Sequence, residues 1–160
     1  MMGAPFDFLK VASYVGDQIE AKRLCQEVKA VHEELGDLGG AIVALSNAGH
    51  VCIELGKYDA AARHLQEALQ QSAALRQGRF VMNVLHGLAD LASRVGRYRL
   101  AYELATFVCC TPMTFPGMVE DAQRLRSELE AKLPLEVTAA AEARAKVWTL
   151  DDAVAEALAV

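Results

Sequence analysis

Apolar residues recur along this chain three and four positions apart, the spacing that lays a stripe down one face of an α-helix. The stripes are cut by a glycine at regular distances. Three short segments carry the cut, VGDQIEA (Val15–Ala21), LGKYDAA (Leu55–Ala61) and VGRYRLA (Val95–Ala101), each offset from the one before by 40 residues. The register holds on both sides of the glycine. Upstream stand the small or apolar pairs Phe8/Leu9, Ala48/Gly49 and Leu88/Ala89, then Ala12, Cys52 and Ala92. Downstream stand Cys25, Leu65 and Ala105, then Val28, Ala68 and Val108. Each segment therefore predicts a helix, a short glycine turn and a second helix. Gly16, Gly56 and Gly96 fall where one helix ends and the chain reverses, a position that commonly takes a left-handed backbone. Ala21, Ala61 and Ala101 mark a point where two helices cross too closely for a larger side chain.

The pattern predicts a partial helix over 4–14, then helices near 17–35, 38–55, 57–76, 79–95 and 97–110. TPMTFPG (Thr111–Gly117), with two prolines, interrupts it. Beyond lie a charged helix near 118–132, a stop at Pro134, and short helices near 135–146 and 150–159. Thr149 followed by Leu-Asp-Asp reads as an N-cap with acidic residues in the first turn. A helix pair cannot bury its apolar stripe alone, so pairs must stack. The expected fold is all-α, a right-handed α-solenoid of antiparallel helix pairs. Three repeats (about 1–37, 38–77 and 78–115) are followed by capping helices of the same domain at 116–160.

Composition narrows the function classes. With 53% apolar and 23% charged residues, the chain has enough of both for a packed core and a wetted surface. A net charge of -5 argues against general nucleic-acid binding, which needs many cations to displace counterions from phosphates. Cys25, Cys52, Cys109 and Cys110 form no CxxC pair and read as small core residues of a reduced, cytoplasmic protein. No run of about eighteen uncharged apolar residues occurs, so no membrane span or membrane partner is expected. No Ser-His-Asp pattern, glycine-rich phosphate loop or paired-carboxylate motif points to catalysis, so no enzyme activity, cofactor or metal is expected.

The columns resemble the tetratricopeptide repeat, whose signature pairs a small residue and glycine in the first helix with GxYxxA at the turn. ALSNAGHVCIELGKYDAAARHLQEAL (Ala44–Leu69) matches best, LADLASRVGRYRLAYELA (Leu88–Ala105) next, and the first unit weakly. Cys52 and Leu65 replace the usual aromatics, no proline closes the unit, and the period of 40 exceeds the family's usual ~34. This longer form is similar to the repeat arrays of large bacterial signalling proteins, which often follow an ATPase or regulator domain. The chain itself holds no GxxxxGK[ST] motif.

The resemblance implies a protein-interaction module, a scaffold or adaptor in bacterial signalling whose first helices line a concave groove for a peptide or partner protein. Carried over, the groove positions are Ser46, Asn47, His50, Ile53 and Glu54 in the middle unit. In the third unit they are Asn83, His86, Gly87, Asp90 and Arg94, with Lys10 and Tyr14 extending the set from the first. Asn47, Lys10 and Arg94 are an incomplete set for gripping a C-terminal carboxylate. A competing expectation is a sensory element that shifts between two curvatures on binding a small effector or signalling peptide.

His50 and His86 with Asp90 or Glu54 compose a ligand set of the kind zinc takes, but that spacing arises readily by chance. Arg76, Arg79, Arg94, Arg97 and Arg99 would gather at one edge, as a patch for an acidic partner or as ordinary solvated turns. His32 and His64 read as surface residues, and Trp148 as a packing anchor. An exposed N-terminal repeat face would favour a homodimer. If the alanine column marks a close crossing, Ala61→Leu should overpack it and cost roughly 1–3 kcal/mol. Thermal denaturation checks this, and a Tm change of less than about one degree would remove the assignment.

Overall fold

The computed structural model describes residues 38–76, 78–112 and 117–159, together with Arg23, Gln26, Glu27, Lys29 and Ala30. The first glycine motif and the partial helix before it lie outside the described residues. Among these, every regular element is an α-helix. In chain order they are α1 (Leu38–Glu54), α2 (Tyr58–Ala74), α3 (Gly78–Arg94), α4 (Tyr98–Cys110), α5 (Met118–Glu130), α6 (Leu135–Lys146) and α7 (Leu150–Ala157). The chain divides into two compact units, Met1–Ser72 and Ala73–Val160.

The turns after α1 and α3 are built alike. Gly56 and Gly96 hold φ of 75° and 86°, a region a side chain enters only at a cost of roughly 1–2 kcal/mol. Around Gly56, its own amide donates to Ile53 O at 3.0 Å and the Lys57 amide to Cys52 O at 2.8 Å. Around Gly96, its amide donates to Ser93 O at 3.3 Å and the Arg97 amide to Ala92 O at 2.8 Å. This is the Schellman pair of bonds, which satisfies carbonyls the helix end would otherwise leave open. Leu38 and Gly78 open the first helices, and Tyr58 and Tyr98 the second, at the spacing that separates the two glycines. At the end of α2 the left-handed residue is Arg76, with φ 54°, and the following glycine, Gly78, instead starts α3.

In the first unit, α2 buries one face: Ala61, Leu65, Ala68, Leu69 and Ser72. That is the stripe expected of a surface helix. Helix α1 meets it closely at Gly49, where an added Cβ would lie 2.6 Å from Leu65 Cγ. A leucine standing where many repeats carry an aromatic thus faces a position that admits no side chain. Ala61 is fully buried, as its column requires.

The second unit is assembled around α4. Its residues Leu100 to Val108 are all buried, nine in succession, because α3, α5, α6 and α7 all pack on it. Helix α5 contributes the single face Met118, Ala122, Leu125 and Leu129. Helix α6 contributes the small stripe Thr138, Ala141 and Ala145, which permits close approach. Helix α7 starts with the expected cap: the Asp152 amide donates to Thr149 Oγ1 at 3.1 Å and the Thr149 amide to Asp152 Oδ2 at 2.8 Å. It is held at its other end by Arg97 Nη1, which donates to the Ala159 carbonyl at 2.6 Å. A cation there also meets the negative end of the helix. Trp148 packs against Phe107 with ring centroids 6.3 Å apart, consistent with an anchor for the turn before α7.

One charged residue lies inside this packing. Glu103 is 1% exposed, with Arg144 Nε 3.4 Å from Oε2 and Arg99 Nε 3.8 Å from Oε1. Arg144 also donates to Glu156 Oε1 at 2.8 Å and lies over the Trp148 ring, so it ties α4, α6 and α7 together. Burial pushes the Glu103 carboxyl above the usual glutamate range, and the attraction of Arg144 and Arg99 does not fully offset it. A carboxyl whose folded pKa is raised binds its proton more tightly in the folded state. The protein therefore loses stability as pH rises from the ordinary glutamate value through the folded one. We expect Glu103→Gln to be at least as stable as the wild type at pH 7, with the difference shrinking towards pH 4.5. Urea midpoints at the two pH values test this, and a variant clearly weaker at pH 7 would contradict it.

Candidate functional site

Helices α1 and α3 bury most of their circumference, so the residues they leave in contact with solvent are few. On α1 of the first unit, Asn47 and His50 are half-buried and Glu54 is exposed. They follow one another at three- and four-residue steps and form a single stripe. Ser46 and Ile53, expected beside them, are 0% and 1% exposed. Both are core residues, because their register turns them away from that stripe.

On α3 of the second unit, Asn83, His86 and Asp90 are half-buried and Arg94 is exposed, again one stripe. Gly87, expected in the set, is buried. Asp90 and Arg94 are joined across one turn, Arg94 Nε to Asp90 Oδ1 at 3.6 Å. Lys10 and Tyr14 lie outside the described residues, as does His32.

His86 is the most perturbed member of the stripe. Its Nδ1 is enclosed and has no hydrogen-bond partner. Burial pushes the imidazole below the ordinary histidine value, while the carboxylates of Asp121 and Asp90 pull it back without overcoming the burial. Asp121, in the first turn of α5, was not legible as a neighbour of His86. It lies in a different helix, and no local pattern joins the two.

Three of the five arginines expected to gather are engaged inside the second unit. Arg94 pairs with Asp90, Arg97 holds α7, and Arg99 pairs with Glu103. The cysteines also divide. Cys52 is buried, but Cys109 is half-buried and Cys110 exposed at the end of α4, so only the first is a core residue. The Cys25 side chain lies outside the described residues. His64 is half-buried rather than a surface residue, and lines a cleft in the first unit with Lys29 and Glu67, themselves 3.4 Å apart. Among the described residues no group of three or more His, Cys, Asp or Glu could hold a metal ion, and no helix is long and apolar enough to cross a membrane.

The arrangement is thus two helical pairs with matched glycine turns, each first helix carrying one narrow polar stripe. Residues 40–106, from α1 into α4, match the family model described as tetratricopeptide repeat. These residues are tetratricopeptide repeats. No curated protein and no solved structure matches the chain. Tetratricopeptide repeats generally mediate protein–protein interactions and are typically non-enzymatic. The α5–α7 segment lies beyond the matched stretch, yet it supplies Asp121 and encloses the last repeat helix.

The state of His86 has a measurable consequence. Its folded pKa lies below that of the unfolded chain, about 6.5, so on acidification the unfolded chain takes up the proton first. Stability is fully present above that value and declines as pH falls through it. Wild-type protein should lose more of its urea midpoint between pH 7.5 and 5.5 than His86→Gln does. Parallel losses in the two would show that His86 titrates as an ordinary surface imidazole.

Proposed function

We propose that the chain is a non-enzymatic adaptor that binds an extended segment of a partner protein on the polar stripes of its first helices, in a bacterial signalling or regulatory system. The supporting observation is the stripe on α3: Asn83, His86, Asp90 and Arg94 recur in register on a helix whose other positions are largely buried. An amide such as Asn83 or Asn47 both donates and accepts, so it can pair with either group of a peptide backbone. A helix fixed by its packing presents those groups already oriented, so little ordering of the receptor opposes binding. On α1 the corresponding stripe is Asn47, His50 and Glu54, and the expected set also includes Lys10 and Tyr14, which lie outside the described residues.

Tagged wild-type protein and an Asn47→Ala/His86→Ala variant, first shown to melt alike at pH 7.5, are used for capture from lysate of the source cells. We expect a partner held by the wild type whose purified complex is weakened at least about tenfold by the two substitutions. Removing two hydrogen-bonding contacts has an effect of that order. Retention of the same proteins by both chains would refute binding through the stripes. A small effector that changes the protein's sedimentation with no captured partner would favour the sensory role instead.

A further inference from the structure

The second unit has a cleft apart from the α3 stripe, formed by α4, the α5–α6 turn and α6. Its volume is about 490 Å³, within the ~300–1,000 Å³ of ordinary ligand sites. Leu133, Leu135 and Ala139 supply its apolar lining, and Tyr102, Glu130, Thr138 and Glu142 its polar lining. Leu135 is 82% exposed, a large apolar side chain left in water at the mouth of a concave surface.

The charges within the cleft are of one sign. Glu130 and Glu142 line it, and no cation does. The two carboxylates differ in what they already hold. Glu142 Oε1 has Lys146 Nζ at 3.0 Å and Arg126 Nη2 at 3.6 Å, so its charge is answered. Glu130 Oε1 accepts only the neutral hydroxyl of Tyr102, at 3.1 Å, and has no cationic partner among the described residues. Arg126 is turned to the tyrosine instead: Nη2 donates to Tyr102 Oη at 3.0 Å and the guanidinium lies over the ring. Glu130 is also the last residue of α5, where the helix end adds negative potential. The opposing start of α6 is answered by Glu136 in its own first turn.

We propose that this cleft is a second docking site, for an arginine or lysine side chain of a partner protein next to an apolar residue. The aliphatic stem lies along Leu133 and Leu135, and the cationic head meets the free oxygen of Glu130. A long basic side chain covers apolar surface with its stem while its head stays polar, which is the combination these walls present. The cleft has more room than one such side chain fills, and the exposed Leu135 takes the apolar neighbour. The site uses none of the residues of the first-helix stripes, so the two readings stand or fall separately.

The test is a titration of the full ¹⁵N-labelled chain with acetyl-Leu-Arg-amide, followed by amide chemical shifts. Acetyl-Leu-citrulline-amide, which keeps the shape and removes the charge, is the control. We expect saturable shifts confined to Leu133, Leu135, Thr138, Ala139 and their neighbours. Binding should weaken about tenfold in Glu130→Gln, which still accepts from Tyr102, and in the citrulline peptide. It should also weaken in Leu135→Ser, whose exposure leaves the fold undisturbed. Glu128→Gln, on the same helix outside the cleft, should bind as the wild type does. Equal affinity for the two peptides, equal effects of Glu130→Gln and Glu128→Gln, or shifts elsewhere would overturn the proposal. So would the same shifts appearing on raising the protein concentration without peptide, which would make a second copy the occupant.

Discussion

Helix α4 has no solvent-facing side over the nine residues from Leu100 to Val108, and most of the second unit is arranged by what that enclosure requires. A repeat helix at the end of a stack would ordinarily leave one apolar face to water. Here Leu104, Ala105, Phe107 and Val108 are all covered, each large apolar side chain contributing about 1.5–3 kcal/mol by leaving water. Three of the covering helices, α5, α6 and α7, are short, so they hold their place through the few residues they bury. Small ones suffice in α6 and α7, where Ala141, Ala145, Ala153 and Ala157 allow the backbones to come close. The cost is carried by polar groups trapped at the same surface. Thr106 Oγ1 and Glu103 Oε2 are enclosed without a hydrogen bond, although Arg144 stands near the latter.

The charged residues of this unit follow from the same enclosure. Arg144, Arg97 and Arg126 each join elements distant in the chain, to Glu103 and Glu156, to the end of α7, and to Tyr102. Surface ion pairs contribute little, but Glu103 and Tyr102 are out of water. The role of these arginines is to place α5, α6 and α7 rather than to supply a patch for a ligand. Once they are so used, the charges left over become informative. Glu130, paired only to a tyrosine hydroxyl, is one of them.

The repeat motif and the packing also divide the work at the first helices. Small residues such as Ala48, Gly49, Ala89 and Ala92 bring each first helix against its neighbour, and Gly49 leaves no room for a Cβ against Leu65. With so much of the helix enclosed, a narrow strip remains for polar side chains, and it holds residues able to donate and accept. The polar strip is a by-product of close packing elsewhere on the same helix. That is why the half-buried His86 is coupled to stability as well as to any ligand.

Much of the fold was legible in the sequence because its determinants are local. The 3.6-residue period, the glycine that must take a positive φ, the Thr149 cap and the proline break act over a few residues. Helix positions could therefore be read directly, and the family match over 40–106 agrees with them. The tertiary structure decided how many faces of each helix are covered. Ser46 and Ile53 are enclosed beside the half-exposed Asn47 and His50, and Cys110 is exposed where its apolar neighbours suggested a core. It also decided which distant groups meet: Asp121 with His86, Arg144 with Glu103, Tyr102 with Glu130. Periodicity assigns a residue to a face of its own helix. What lies against that face depends on chain segments tens of residues away, and no local pattern encodes it.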